Sequence, residues 1–206
     1  PPLTASYVLG DTGMQSVGRE LPPAPLDLER DDAVRALADW LSRLPVPGRI
    51  LALGPATNLA RLAVTRPALL PRIGEIVLMG GSTDRGNHTA AAEFNVAVDP
   101  EAMAVVLGAG RPVRMIGLNA CRQVQVRLSD VTSVRAAGGE RAALLADLLE
   151  GYVRIAAPDG SRPMSVYDPL AAAALVDPAA IRWMEARVDV ELEGRHTRGM
   201  TVVESR

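Results

Sequence analysis

The sequence predicts an α/β protein with an open, mostly parallel, Rossmann-like sheet flanked by helices and closed by a small terminal β-hairpin. Three observations carry this. Short apolar runs (4–9, 49–53, 75–79, 112–118) alternate with amphipathic segments. The runs are continuously apolar, as strands covered on both faces are. Gly, Pro and Asn follow several runs, so strand, loop and helix repeat in that order. A length of 206 residues fits one domain with a sizeable core or two small ones; no repeat, low-complexity tract or linker divides it, so a single domain over 1–206 is expected.

"TASYVL" (4–9) is the first strand, and 11–30, rich in Gly, Pro and charge, is a long loop. Residues 31–44 have helical spacing: Val34, Leu37, Trp40, Leu41 and Leu44 share a face behind acids in the first turn. "RILAL" (49–53) is a strand ending in "GPATN", and a helix follows from about 58 to 65. "EIVLM" (75–79) is a strand ending in "GG". Residues 99–110 make a helix with a Gly stop, and 112–118 a strand. Residues 139–157 form a long helix, and "DPLAAAALV" (168–176) a short apolar one. Residues 186–194 and 199–205 form the hairpin.

Composition narrows the function classes. Formal net charge is −2, and all 22 basic residues are Arg, scattered without a block. A dedicated nucleic-acid binder shows a basic patch, so none is expected as a partner. The one cysteine, Cys121, excludes a disulfide scaffold. No apolar run approaches the roughly 18 residues that cross a membrane, and no signal peptide stands out. The expectation is a soluble intracellular protein. Its opening, "PPLTASYV" without Met, reads as a processed chain or a piece of a longer one.

Ligands of open α/β sheets sit beyond the carboxyl ends of the strands, which directs attention to the loops after 53, 79 and 118. "GAG" (108–110) closes a helix, the wrong order for a dinucleotide turn. "GPATN" (54–58) either caps a helix through Thr57 or Asn58, or aims backbone carbonyls at a cation. "MGG" (79–81) is either an ordinary turn or a place where a ligand meets the backbone closely. "GNHTAAAEFN" (86–95) is the richest segment. In an extended chain Glu93 and Asn95, two apart, project to one side with Phe94 opposite or beside a ligand. With Asn87 they form either a grip on the vicinal hydroxyls of a sugar or a buried polar stitch in a loop. His88 is expected as a loop residue. Asp168, before Pro169, is either the N-cap of a helix or a carboxylate for a hard cation such as Ca²⁺.

Five stretches, "ILALGPATNLA" (50–60), "EIVLMGGS" (75–82), "GNHTAAAEFNVAVDPEA" (86–102), "VYDPLAAAALVDP" (166–178) and "HTRGMTVVESR" (196–206), resemble the inosine-uridine preferring nucleoside hydrolases in order and spacing. The resemblance implies the nucleoside hydrolase fold and hydrolysis of the N-glycosidic bond of ribonucleosides by a calcium-activated water. It implies Met79, Asn87, Glu93, Phe94 and Asn95 around the ribose, and Thr57 (backbone carbonyl) and Asp168 as Ca²⁺ ligands. It further implies purine and pyrimidine salvage in the cytoplasm by a homodimer or homotetramer. Metal-activated water and an oxocarbenium-like transition state make the chemistry coherent.

The sequence departs from the family pattern in four places. The N-terminal D-x-D-x-x-x-D-D segment, with the aspartate that serves as base, is absent, and the C-terminal helix region is missing, so the domain reads as incomplete at both ends. Leu9 and Tyr167 stand where many members carry His. A phenol titrates near 10 and is the poorer acid at neutral pH. The second reading is therefore a non-catalytic or truncated relative that binds nucleoside or ribose.

Overall fold

The structure, a computed structural model, describes residues 32–205; the expected strand 4–9, the loop 11–30 and Leu9 lie outside the described residues. In chain order the first elements are α1 (Ala33–Arg43), β1 (Gly48–Ala52), α2 (Thr57–Thr65), β2 (Ile73–Met79), α3 (Phe94–Val98), α4 (Pro100–Leu107), β3 (Val113–Ile116) and α5 (Leu118–Cys121). Then come β4 (Gln125–Val126), α6 (Leu128–Ala136), α7 (Glu140–Ala156), β5 (Met164–Ser165), α8 (Asp168–Val176), β6 (Ala186–Val190) and β7 (Thr201–Ser205). The described residues form two compact units: 32–121 with 167–205, and 122–166.

The larger unit is built on a parallel sheet, ordered β1-β2-β3, with Ile50 opposite Ile76 and Met79 opposite Ile116. β2 is central; Glu75 near its start pairs with Arg49 and Arg114, and from Ile76 to Met79 it is apolar with both faces covered. Ile76 and Leu78 join Val34 and Leu41 of α1, Leu62 of α2, Val96 of α3, and Met103 and Val106 of α4. Val77 and Met79 turn the other way, onto Ile116, Leu118, Cys121 and the Ala171 and Ala174 face of α8. Each such side chain contributes roughly 1.5–3 kcal/mol by leaving water. β6 and β7 pair antiparallel, Val190 opposite Thr201, as the expected hairpin.

Local signals set the boundaries. Asp32 Oδ1 accepts from Val34 N at 2.7 Å and starts α1. α4 stops at Gly108, and α8 spans 168–176 as its apolar run predicts. β3 ends at Ile116, short of the expected 118. There the Gly117 carbonyl accepts from Ala120 N and Cys121 N and turns the chain into α5.

In the smaller unit β4 pairs antiparallel with β5 beside α6 and α7. Arg135 of α6 pairs with Asp147 (2.7 Å) and Glu150 (3.4 Å) of α7, and Tyr152 Oη donates to Ser165 O at 2.9 Å. Among the described residues no helix is long and apolar enough to cross a membrane.

Candidate functional site

The carboxyl end of β2 is the anchor. Past Met79, Gly80 N donates to Ile116 O at 3.1 Å, and Leu118 N donates to Gly81 O at 2.9 Å. Gly81 sits at φ +71°, a left-handed turn that glycine adopts freely. This turn aims the Gly81 N–H inward, where it donates to Glu93 Oε2 at 3.1 Å.

Glu93 is 3% exposed and is the N-cap of α3. Its Oε1 accepts from Asn95 N at 2.9 Å and its Oε2 from Val96 N at 3.1 Å. The extended 93–95 segment expected from spacing is therefore a helix start, because the carboxylate satisfies the free N–H groups of the first turn. Glu93 and Asn95 still reach the same place. Asn95, 8% exposed, donates from Nδ2 to Met79 O at 2.9 Å and to Met79 Sδ at 3.5 Å. Asn95 Oδ1 makes no hydrogen bond with another described residue. Phe94 N donates to Asn87 Oδ1 at 2.9 Å, and the Phe94 ring meets the edge of His88, in the loop as expected, at 5.6 Å.

Burial raises the Glu93 carboxyl above its ordinary range, outweighing three N–H donors that pull it down; the charge of Asp168 adds to the rise. The structure thus joins Met79, Asn87, Glu93, Phe94 and Asn95 in one hydrogen-bonded group, with Asp168 near enough to act through its charge.

Two expectations about helix starts need correction. Neither Thr57 nor Asn58 caps α2: its N-cap is Ala56, with no side-chain bond. Thr57 Oγ1 instead donates to Asp99 Oδ2 at 2.6 Å, while Asp99 Oδ1 accepts from Ala102 N at 3.0 Å and caps α4. The strong carboxylate acceptor draws the hydroxyl away from its own helix. Asp168 is not the N-cap of α8 either; Tyr167 holds that position and Asp168 lies in the first turn. The Asp168 residue is open to solvent, yet its carboxyl is crowded enough that burial raises its pKa.

Ca²⁺ takes about six to eight oxygens. Among the described residues no three His, Cys, Asp or Glu side chains gather as a metal group. Thr57 and Asp168 do not by themselves make a calcium site.

Two contacts around Glu93 were not foreseen from the sequence, although "MGG" (79–81) was singled out as a place where a ligand could meet the backbone. The Gly81 N–H holds Glu93, and Thr201 holds Ser82. Thr201 Oγ1 accepts from Ser82 N at 2.8 Å and donates to Ser82 O at 2.6 Å. A Thr at an inward position of a strand is the only local signal, and its partner lies 119 residues away.

The family model for inosine-uridine preferring nucleoside hydrolase matches residues 1–206. The chain is 36% identical over 204 residues to the pyrimidine-specific ribonucleoside hydrolase RihA of Citrobacter koseri, covering 98% of this chain. It is 37% identical to the protein of the same name from Shewanella woodyi, over the same share. It spans 65% of the length of each of these relatives. Among solved structures it is similar to a purine-preferring ribonucleoside hydrolase from Gardnerella vaginalis (TM-score 0.85, 31% identity, 97% of this chain and 63% of that one). A plant nucleoside hydrolase superposes with a TM-score of 0.86 at 27% identity, covering 98% of this chain and 63% of that one. With the parallel sheet, the Gly80–Gly81 turn and the Glu93–Asn95 pair at its edge, these matches establish that the chain belongs to the inosine-uridine preferring nucleoside hydrolase family.

Proposed function

We propose that the whole protein hydrolyses the N-glycosidic bond of ribonucleosides, and that the group at the end of β2 grips the ribose. The observation that carries this is the buried carboxylate of Glu93, fixed by three N–H groups beside the Oδ1 of Asn95. Both oxygens are acceptors for sugar hydroxyls, and Asn87 Nδ2 is a donor. Rigid acceptors of this kind position the sugar, which suits a reaction whose difficulty lies at C1′. In that reaction the C1′–N bond breaks, a water oxygen bonds to C1′, and the base leaves with a proton. Negative charge near the ring favours the positive charge that develops on it. Phe94 and Met79 supply apolar wall.

Ca²⁺ enters this reading only as far as the Thr57 carbonyl and Asp168 offer two oxygens toward a shell that needs more. The implied setting is nucleoside salvage in the cytoplasm by a homodimer or homotetramer. Relatives at 36–37% identity are named pyrimidine-specific, and Tyr167 replaces the His that would protonate a purine, so uridine and cytidine head the substrate panel.

The test is free-base release from uridine, cytidine, inosine and adenosine, with and without added Ca²⁺, beside calorimetry of ribose and nucleoside binding. Release abolished by Asn95→Ala supports the reading. Binding without release identifies a non-catalytic relative, the reading that Tyr167 favours. Neither binding nor release refutes both.

A further inference from the structure

We propose that Thr201 is a positioning residue for the ribose grip, bracing Glu93 through the backbone of Ser82 and Gly81; this rests on the reading of Glu93 given above. Thr201 stands at the start of β7 and is 3% exposed. Its single hydroxyl makes both bonds that a peptide unit offers at one residue. It accepts from the Ser82 N–H and donates to the Ser82 carbonyl. The Gly81–Ser82 peptide is therefore held from its Ser82 side. On the other side the Gly81 carbonyl accepts from Leu118 N and the Gly80 N–H is tied to Ile116. The one N–H in this run that is left to meet a functional side chain is that of Gly81, and it meets Glu93.

A left-handed glycine has many accessible conformations and little side-chain packing to choose among them. Rotation about the Gly80 ψ or Gly81 φ would swing the Gly81 N–H off Glu93. Thr201 limits that freedom from the carboxyl side of Gly81: it fixes both polar groups of Ser82, while Ile116 holds the Gly80 N–H on the other side. The Thr201 methyl also closes the space above the turn: a Cβ on Gly81 would lie 2.8 Å from Thr201 Cγ2. The bracing is thus polar on Ser82 and steric on Gly81, from a residue outside the sugar pocket.

Amide exchange by NMR decides this without reference to activity. In Thr201→Val both Ser82 and Gly81 exchange faster by about tenfold or more, because local opening becomes easier. Thr201→Ser keeps the hydroxyl and holds both within about threefold of wild type. Val203→Ala loosens the same strand without touching the hydroxyl and leaves Gly81 protected. If the Val protein does not fold, Thr201→Cys substitutes a weak donor in similar volume. Faster exchange at Ser82 alone, with Gly81 unchanged, overturns the proposal.

Kinetics on the nucleoside that wild type hydrolyses supplies a second readout. Loss of a sugar grip used before and during reaction raises KM, whereas a smaller folded fraction lowers kcat with KM unchanged. Thr201→Val is expected to raise KM several-fold, about three- to tenfold, and Thr201→Ser to restore it. A Val variant with unaltered KM overturns the proposal. If wild type hydrolyses no nucleoside, the functional reading falls, while Gly81 exchange still decides whether the brace reaches Glu93.

Discussion

Gly81→Ala tests the turn at the end of β2, and Gly110→Ala is its internal control. Both glycines have positive φ, +71° and +68°. An alanine in that region costs about 1–2 kcal/mol from backbone sterics alone. At Gly110 that is the whole cost, since a Cβ there meets nothing within 4 Å. At Gly81 the Cβ comes within 2.8 Å of Thr201 Cγ2 and 3.0 Å of both Thr201 Oγ1 and Met115 Sδ. Thr201 is pinned by two bonds to Ser82, so it cannot step aside without breaking them. Overpacking of this kind adds about 1–3 kcal/mol. Gly81→Ala should thus lose about 2–5 kcal/mol, and Gly110→Ala about 1–2. Urea titration followed by tryptophan fluorescence measures both, because Trp40 and Trp183 belong to the same unit as both glycines. Equal midpoint shifts for the two variants would refute the packing described around Gly81.

Other outcomes follow from the same contacts. Glu93→Gln sets an amide NH₂ against at least one of the three N–H donors whichever way it turns, and should cost about 1–3 kcal/mol in urea unfolding. A Gln variant as stable as wild type would contradict that donor arrangement. Burial raises the folded pKa of Glu93, so its contribution to stability is full below the ordinary value of 4.5 and lost as pH rises through the folded value. The urea-midpoint advantage of wild type over Glu93→Gln should therefore narrow as pH climbs above 4.5, and a widening gap would mean that the N–H donors outweigh burial. Thr57→Val removes the donor to Asp99 and should cost about 1.5 kcal/mol, read as a lower urea midpoint; an unchanged midpoint would sink the link between α2 and the cap of α4.

Much of the scaffold was legible because its signals are local. From Ile76 to Met79 β2 is an unbroken apolar run, and its side chains alternate between two clusters, one on each face. α8 was delimited by Asp-Pro at one end and Asp-Pro at the other. Helix α6 was not foreseen: "LSDVTSVRA" carries β-branched and hydroxyl residues, and Val131 is its one buried side chain, so no apolar stripe marks it. The candidate site followed the same division. Glu93 and Asn95 were singled out because a carboxylate and an amide interrupt an apolar run. Their geometry was misjudged because the Glu93 carboxylate turns back to cap α3, accepting from Asn95 N and Val96 N, and the third donor, Gly81 N, lies twelve residues earlier in the chain. Thr201 was silent because a threonine in a strand is ordinary until its partner is known.

The tie between Thr201 and Ser82 has a consequence for the order of assembly. It closes a loop of 119 residues, so it forms only after a large entropic cost has been met elsewhere. β1, β2 and β3 can pair, and Glu93 can cap α3, while Thr201 is still being synthesised. A chain at that stage owns Met79, Asn87, Glu93, Phe94 and Asn95, the side chains proposed to grip the ribose, without the Thr201 bond to Ser82. Competence to hold a nucleoside should therefore lag behind sheet formation during refolding, with docking of the final strand as the step that separates the two.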